Sequence, residues 1–260
     1  MSKKSYKKLQ VLNFIAYVAT ITVNALANII PINNITTGEV SAHYPNLFTP
    51  APITFSIWGL IYTLLFIFVI YQMKGLFNKE KEPSELVGKI GYWFIASCIF
   101  NMLWIVLWHY KKVGLSVIIM IFLLLSLIKL YLKLQISRKK VSKKDKYFIK
   151  MPFSIYLGWI SIATIANISA FLVNIDWNGF GLSPLVWTIF VIVIGTILTL
   201  LMLWFRNDIY YGFVVLWAFL GIIIERFSQG GNYSKYIIIN VIICMLIILV
   251  SIIPNLKKYE

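Results

Sequence analysis

Reactive side chains are scarce in this sequence: two cysteines, two histidines and nine Asp plus Glu stand among 260 residues. Cys98 and Cys244 sit singly inside apolar runs, which excludes a disulfide framework and a thiolate metal site; both read as small buried hydrophobes. His43, beside Tyr44, has no second ligand at metal-binding spacing, so no metal site is assigned. The chain has no HExxH, no Walker sequence, no Ser/His/Asp constellation and no carboxylate pair within an apolar segment. Ordinary hydrolytic and phosphoryl chemistry therefore lack their parts, and no catalytic residue is assigned. No Asp, Glu or Lys lies deep in the centre of an apolar segment, where ion coupling in a transporter needs one.

What the chain has instead is apolar bulk. Its composition is 60% hydrophobic, against about 45–50% in ordinary globular domains, and its mean hydropathy is +0.83. Runs of about 20 apolar residues, each long enough to cross a bilayer as a helix, recur along the whole length. The sequence predicts an all-α integral membrane protein with about eight transmembrane helices. The first apolar run is too long for a signal-peptide core and no A-x-A site follows it, so it reads as a retained helix.

The expected order begins with a basic arm over residues 1–8 and a first helix from Leu9 to Ile30 carrying Asn24 and Asn28. A loop from Pro31 to Pro52 follows, with no Lys or Arg, long enough to act as a lid. Pro50 and Pro52 stiffen its end, and helix two is expected from near Ile53 to Gln72. Further helices are expected at Ile90–His109, Val113–Leu134 and 151–173, then at Pro184–Phe205, Ile209–Ile224 and Tyr236–Ile253. On this layout 20 Lys and Arg fall on one side and four on the other, which predicts cytoplasmic termini and an outward-facing lid loop. The net charge of +15 is thus a matter of topology and anionic lipid, and nucleic acid is not an expected partner. Glu225 and Arg226, at the end of helix seven, read as a snorkelling pair at the interface.

Three segments carry an ordered polar and aromatic pattern. In FTPAPITFSIWGLIY, residues 48–62, Phe55, Trp58 and Tyr62 are spaced i, i+3, i+7. In NMLWIVLW, residues 101–108, Asn101, Trp104 and Trp108 repeat that spacing. After Pro152, residues Trp159, Ala163 and Asn167 recur every fourth position. Interfacial anchoring suits several of these aromatics, Trp108 with His109 above all. A lipid-facing surface, however, needs no such ordering of rings with amides, and a planar apolar ligand wants both.

These three series, in this order, resemble the translocator protein or tryptophan-rich sensory protein (TspO/MBR) family over about Leu9 to Val173. The resemblance implies a five-helix unit over residues 9–174; the three additional helices over residues 183–255 lie beyond it and, lacking its clustered aromatic and amide faces, are expected to pack beside it without lining its pocket. It further implies one ligand pocket built from Phe55, Trp58, Tyr62, Asn101, Trp104, Trp108, Trp159, Ala163 and Asn167, under a lid that includes Phe48, Pro50 and Pro52. The ligand implied is a small hydrophobic planar molecule, a tetrapyrrole such as porphyrin or haem, bound for sensing, transport or disposal, with no cofactor required. The setting implied is a bacterial plasma membrane, and a homodimer is compatible with it. The alternatives are a secondary transporter of a small hydrophobic solute and light- or oxidant-dependent porphyrin breakdown.

Overall fold

A computed structural model describes residues 3–73, 76, 85–136 and 142–256. Much of the basic charge counted above, at positions 74–84, 137–141 and 257–258, lies outside the described residues. Among the described residues eight long helices carry the fold: α1 Lys3–Ile29, α2 Ile57–Gln72, α3 Trp93–His109, α4 Val113–Lys133, α5 Met151–Asn174, α6 Pro184–Arg206, α7 Ile209–Gln229 and α8 Ser234–Leu256. Among the described residues there is no strand, and seven helical spans are long and apolar enough to cross a membrane. α3, with 17 residues, stands at the lower limit of about 17–25. The chain is an all-α, multi-span membrane protein.

The helix ends depart from expectation for local reasons. Lys3 to Lys8 continue α1 and form no separate arm. Pro52 opens a 3-10 turn, Pro52–Ser56, so α2 proper begins at Ile57 and not near Ile53. Gly91, at φ +55, breaks the run before α3, leaving Glu85–Ile90 as a separate short helix. Ahead of α5, a π turn at Lys146–Lys150 gives the backbone room for Pro152, which lacks an N–H and crowds the preceding turn. α7 continues past Ile224 to Gln229, so Glu225 and Arg226 are helical.

The chain forms two compact units. The first comprises Met1–Thr37 and Trp58–Leu157, the second Gly38–Ile57 and Gly158–Glu260. In the first, α3 packs against α1 and α4. Its centre is a trio of fully buried rings, Phe68, Phe94 and Phe153, edge to face with centroids 4.9–6.0 Å apart. Amides tie α1 to its neighbours: Gln10 Nε2 donates to the Gln72 carbonyl (2.6 Å), Asn13 Nδ2 to Gln72 Oε1 (2.8 Å), and Asn24 Nδ2 to Asn101 Oδ1 (2.7 Å). Asn24 thereby acts as interhelical glue, the ordinary role of an amide at membrane depth.

In the second unit α6, α7 and α8 pack on one another around Ile192, Leu203, Val215, Phe219, Ile237, Val241 and Ile248. Thr188, Thr196 and Thr199 face this unit's interior at no polar penalty, because each hydroxyl donates to the carbonyl four residues earlier. The segment before α2 is sewn onto α7. Ala51 N–H donates to the Gly221 carbonyl (3.0 Å), and the Trp217 indole N–H to the Thr54 carbonyl (3.0 Å).

Gly221 is what admits that contact. A Cβ there would lie 2.9 Å from Thr54 Cβ and nearer still to its Oγ1, and the Trp217 bond prevents Thr54 from retreating. Gly221→Ala should therefore lower stability in detergent by about 1–3 kcal/mol, the usual scale of overpacking. Gly59→Ala, whose Cβ meets nothing within 4 Å, should be neutral or stabilising. Equal thermal transitions for the two variants would refute the docking of this segment.

Candidate functional site

The residues singled out by sequence fall into two groups. In the first unit Trp58 stacks on Tyr62 (5.4 Å between centroids) and on Trp104 (6.0 Å), Trp104 stacks on Trp108 (6.2 Å), and Tyr156 meets Trp58 edge-on (6.0 Å). Asn101 is fully buried beneath this ladder. It accepts from Asn24 and donates Nδ2–H to the Tyr156 hydroxyl (3.1 Å). Ring-on-ring packing and a satisfied amide thus give this face a reason to be ordered within the unit itself. Trp108 and His109 are not interface markers: both are buried and bind the chain between α1 and Thr37. The Trp108 indole donates to the Thr37 carbonyl (3.3 Å), and His109 lies 3.1 Å from both the Ile32 carbonyl and the Thr37 hydroxyl. A carbonyl only accepts, so Nδ1 of His109 donates to Ile32, while the Thr37 hydroxyl donates to Asn28 Oδ1 (3.3 Å).

In the second unit the segment before α2, the end of α5, the start of α6 and the end of α7 border a half-open cavity of about 540 Å³. Phe48, Pro50, Pro52 and Phe55 of the expected site line it. Trp159 lies behind Phe55, edge to face at 6.1 Å, whereas Trp159, Ala163 and Asn167 are not among the described lining residues. Part of the wall comes from helices expected not to line the five-helix unit's pocket: Trp187, Thr188 and Val191 of α6, and Glu225, Arg226 and Gln229 of α7, with Trp177 from the turn before α6.

Each wall is held by local chemistry. Asn46 closes the lid turn, accepting from Phe48 N–H (3.1 Å) and donating to the Tyr44 carbonyl (2.9 Å). Asn178 Oδ1 accepts from Phe180 N–H (3.0 Å), and the Trp187 indole donates to the Gly179 carbonyl (2.7 Å). Trp177 and Trp187 are thereby set 4.9 Å apart at the mouth of α6, which starts from the Ser183 cap and Pro184.

One corner is polar. Arg226 is only 4% exposed, so it does not snorkel; it donates Nη2–H to Gln229 Oε1 (3.2 Å), and Gln229 Nε2–H donates to Glu225 Oε1. The cavity can therefore hold an apolar, ring-bearing molecule and meet one polar group.

A family model for TSPO-like protein matches residues 10–254. The chain belongs to the TSPO-like protein family. In this TSPO-like chain the match runs through α6 and α7 and into α8. No curated protein and no solved structure matches it.

Trp177, Trp187 and Arg226 are the lining residues that sequence reasoning missed. A signal existed: the stretch DWNGFGLSPLVW places two Trp and a Phe around glycines that permit the positive φ of residues 179–181. An Arg inside the last turn of an apolar helix was a second signal.

Proposed function

We propose that this TSPO-like membrane protein binds a planar hydrophobic ligand, a tetrapyrrole being the class that suits it best, in the cavity of its second unit. The observation that carries the reading is the wall itself. Phe48, Phe55, Trp177 and Trp187 face a volume within the roughly 300–1,000 Å³ range of small-molecule sites, and the backbone beneath them is fixed by prolines, Asx turns and indole hydrogen bonds. Family membership supports a tetrapyrrole-related sensory or binding role. Sensing, transport and disposal all begin with this binding step.

The test is a protoporphyrin titration of purified protein, followed by tryptophan quenching and by pigment absorbance in light and darkness. An aromatic contact contributes about 0.5–1.5 kcal/mol beyond burial, so Trp187→Leu should weaken binding roughly three- to tenfold. Trp104→Leu, in the ring ladder of the first unit, should change affinity less than about twofold. The reverse pattern would move the site to that ladder, and absence of quenching by folded protein at micromolar porphyrin would dismiss the tetrapyrrole. Steady loss of pigment absorbance in light alone would favour breakdown over binding.

The orientation with cytoplasmic termini in a bacterial plasma membrane is part of the proposal, supported by the 20-to-four partition of Lys and Arg. A cysteine introduced at exposed Glu39 should react with a membrane-impermeant thiol reagent in intact cells. Reaction at Ser142 with none at residue 39 would invert the topology.

A further inference from the structure

The polar corner of the cavity has no structural explanation in the helices alone. Arg226 is more than nine-tenths buried, and the cavity around it is otherwise lined largely by rings, prolines and aliphatic side chains. Its Nε–H has no partner, and the hydrogen bond of Nη2 goes to Gln229, an exposed amide three residues along the same helix. Arg226 lines the cavity, and among the described residues its donors reach only Gln229. Burying a guanidinium is expensive, and Glu225 at the same corner offsets only part of that cost, so a carboxylate arriving with the ligand would be favoured there.

We infer that Arg226 is the carboxylate anchor of this cavity, so that its ligand is an amphipathic acid with a planar apolar body against Trp177 and Trp187. This rests on the cavity being the ligand site. The guanidinium presents its N–H groups as a planar fork that fits the two oxygens of a carboxylate, and charge-assisted bonds of this kind are stronger than neutral ones. Glu225 shapes the choice of anion. It lines the same corner, with one oxygen engaged by Gln229, and its negative charge opposes a dianion such as a phosphate monoester more than a single carboxylate. Gln229, bonded to both side chains, holds the two charged groups in register.

The experiment separates the acid from the ring system. Full-length protein in detergent is titrated with protoporphyrin and its dimethyl ester, and with pyrenebutyric acid and its methyl ester, using wild type, Arg226→Gln, Arg226→Lys and Glu225→Gln. The wild type should prefer each acid to its ester roughly ten- to a hundredfold. Arg226→Gln should bring that ratio to about one, and Arg226→Lys should leave an intermediate ratio because it keeps the charge without the fork. Glu225→Gln should raise acid affinity by roughly threefold, a gain that misfolding cannot imitate. Thermal transitions of all variants are recorded alongside.

Equal binding of acid and ester by wild type in both pairs overturns the anchor and leaves the ring-walled cavity standing. A folded Arg226→Gln that keeps the acid preference overturns it too. If neither porphyrin binds but pyrenebutyric acid shows an Arg226-dependent preference, the anchor holds and the tetrapyrrole class falls. If no member of either pair binds folded protein, both readings are overturned.

Discussion

Irregular backbone can lie against apolar helices only where its N–H and C=O groups find partners, because lipid offers none. The stretch from Tyr44 to Ser56 is such backbone, and its pairing governs the second unit. Ala51 reaches the Gly221 carbonyl, Trp217 reaches the Thr54 carbonyl, and Thr54 N–H closes the 3-10 turn on Ala51 (2.9 Å). Remove these and the segment has no reason to stay on α7. Phe48, Pro50, Pro52 and Phe55 then no longer form one side of a cavity.

The same constraint explains the residue types around it. Prolines reduce the number of N–H groups that need partners and limit the entropy lost on ordering. Asn46 and Asn178 substitute side-chain acceptors for backbone ones, each two residues before the N–H it satisfies. Gly221 lowers the surface of α7 so that backbone can meet backbone. The rings then project from a scaffold that is already fixed, so a bound planar molecule need not spend its binding energy on ordering the wall. Arg226 is the exception: a buried charge at one corner, with a donor left over.

Much of this was legible in the sequence, and the reason is periodicity. Eight helices could be read from apolar run length because a bilayer demands about 20 residues per crossing. Their ends moved where a local backbone event outweighed the pattern, as with Pro52 opening a 3-10 turn before Ile57 and Gly91 cutting Glu85–Ile90 from α3. Of the residues that line the cavity, Phe48, Pro50 and Pro52 were found because prolines mark stiff loops, and Phe55 because of its spacing to Trp58 and Tyr62. Trp187 and Arg226 were not, since a single ring or charge in an apolar helix has no period, and only tertiary placement distinguishes a cavity wall from a lipid-facing surface. Conversely, the i, i+3, i+7 faces of Trp58 and Trp104 are periodic for a reason sequence cannot separate from ligand binding, namely that these rings stack on one another.

The central claim is that a ligand occupies the cavity walled by the lid segment, α6 and α7. Photolabelling with a porphyrin that carries a diazirine, followed by peptide mapping of the full-length protein, tests it directly. The account predicts adducts within residues 38–55, 169–191 and 221–229, competed away by unlabelled porphyrin. Competable adducts confined to residues 58–108 would contradict it.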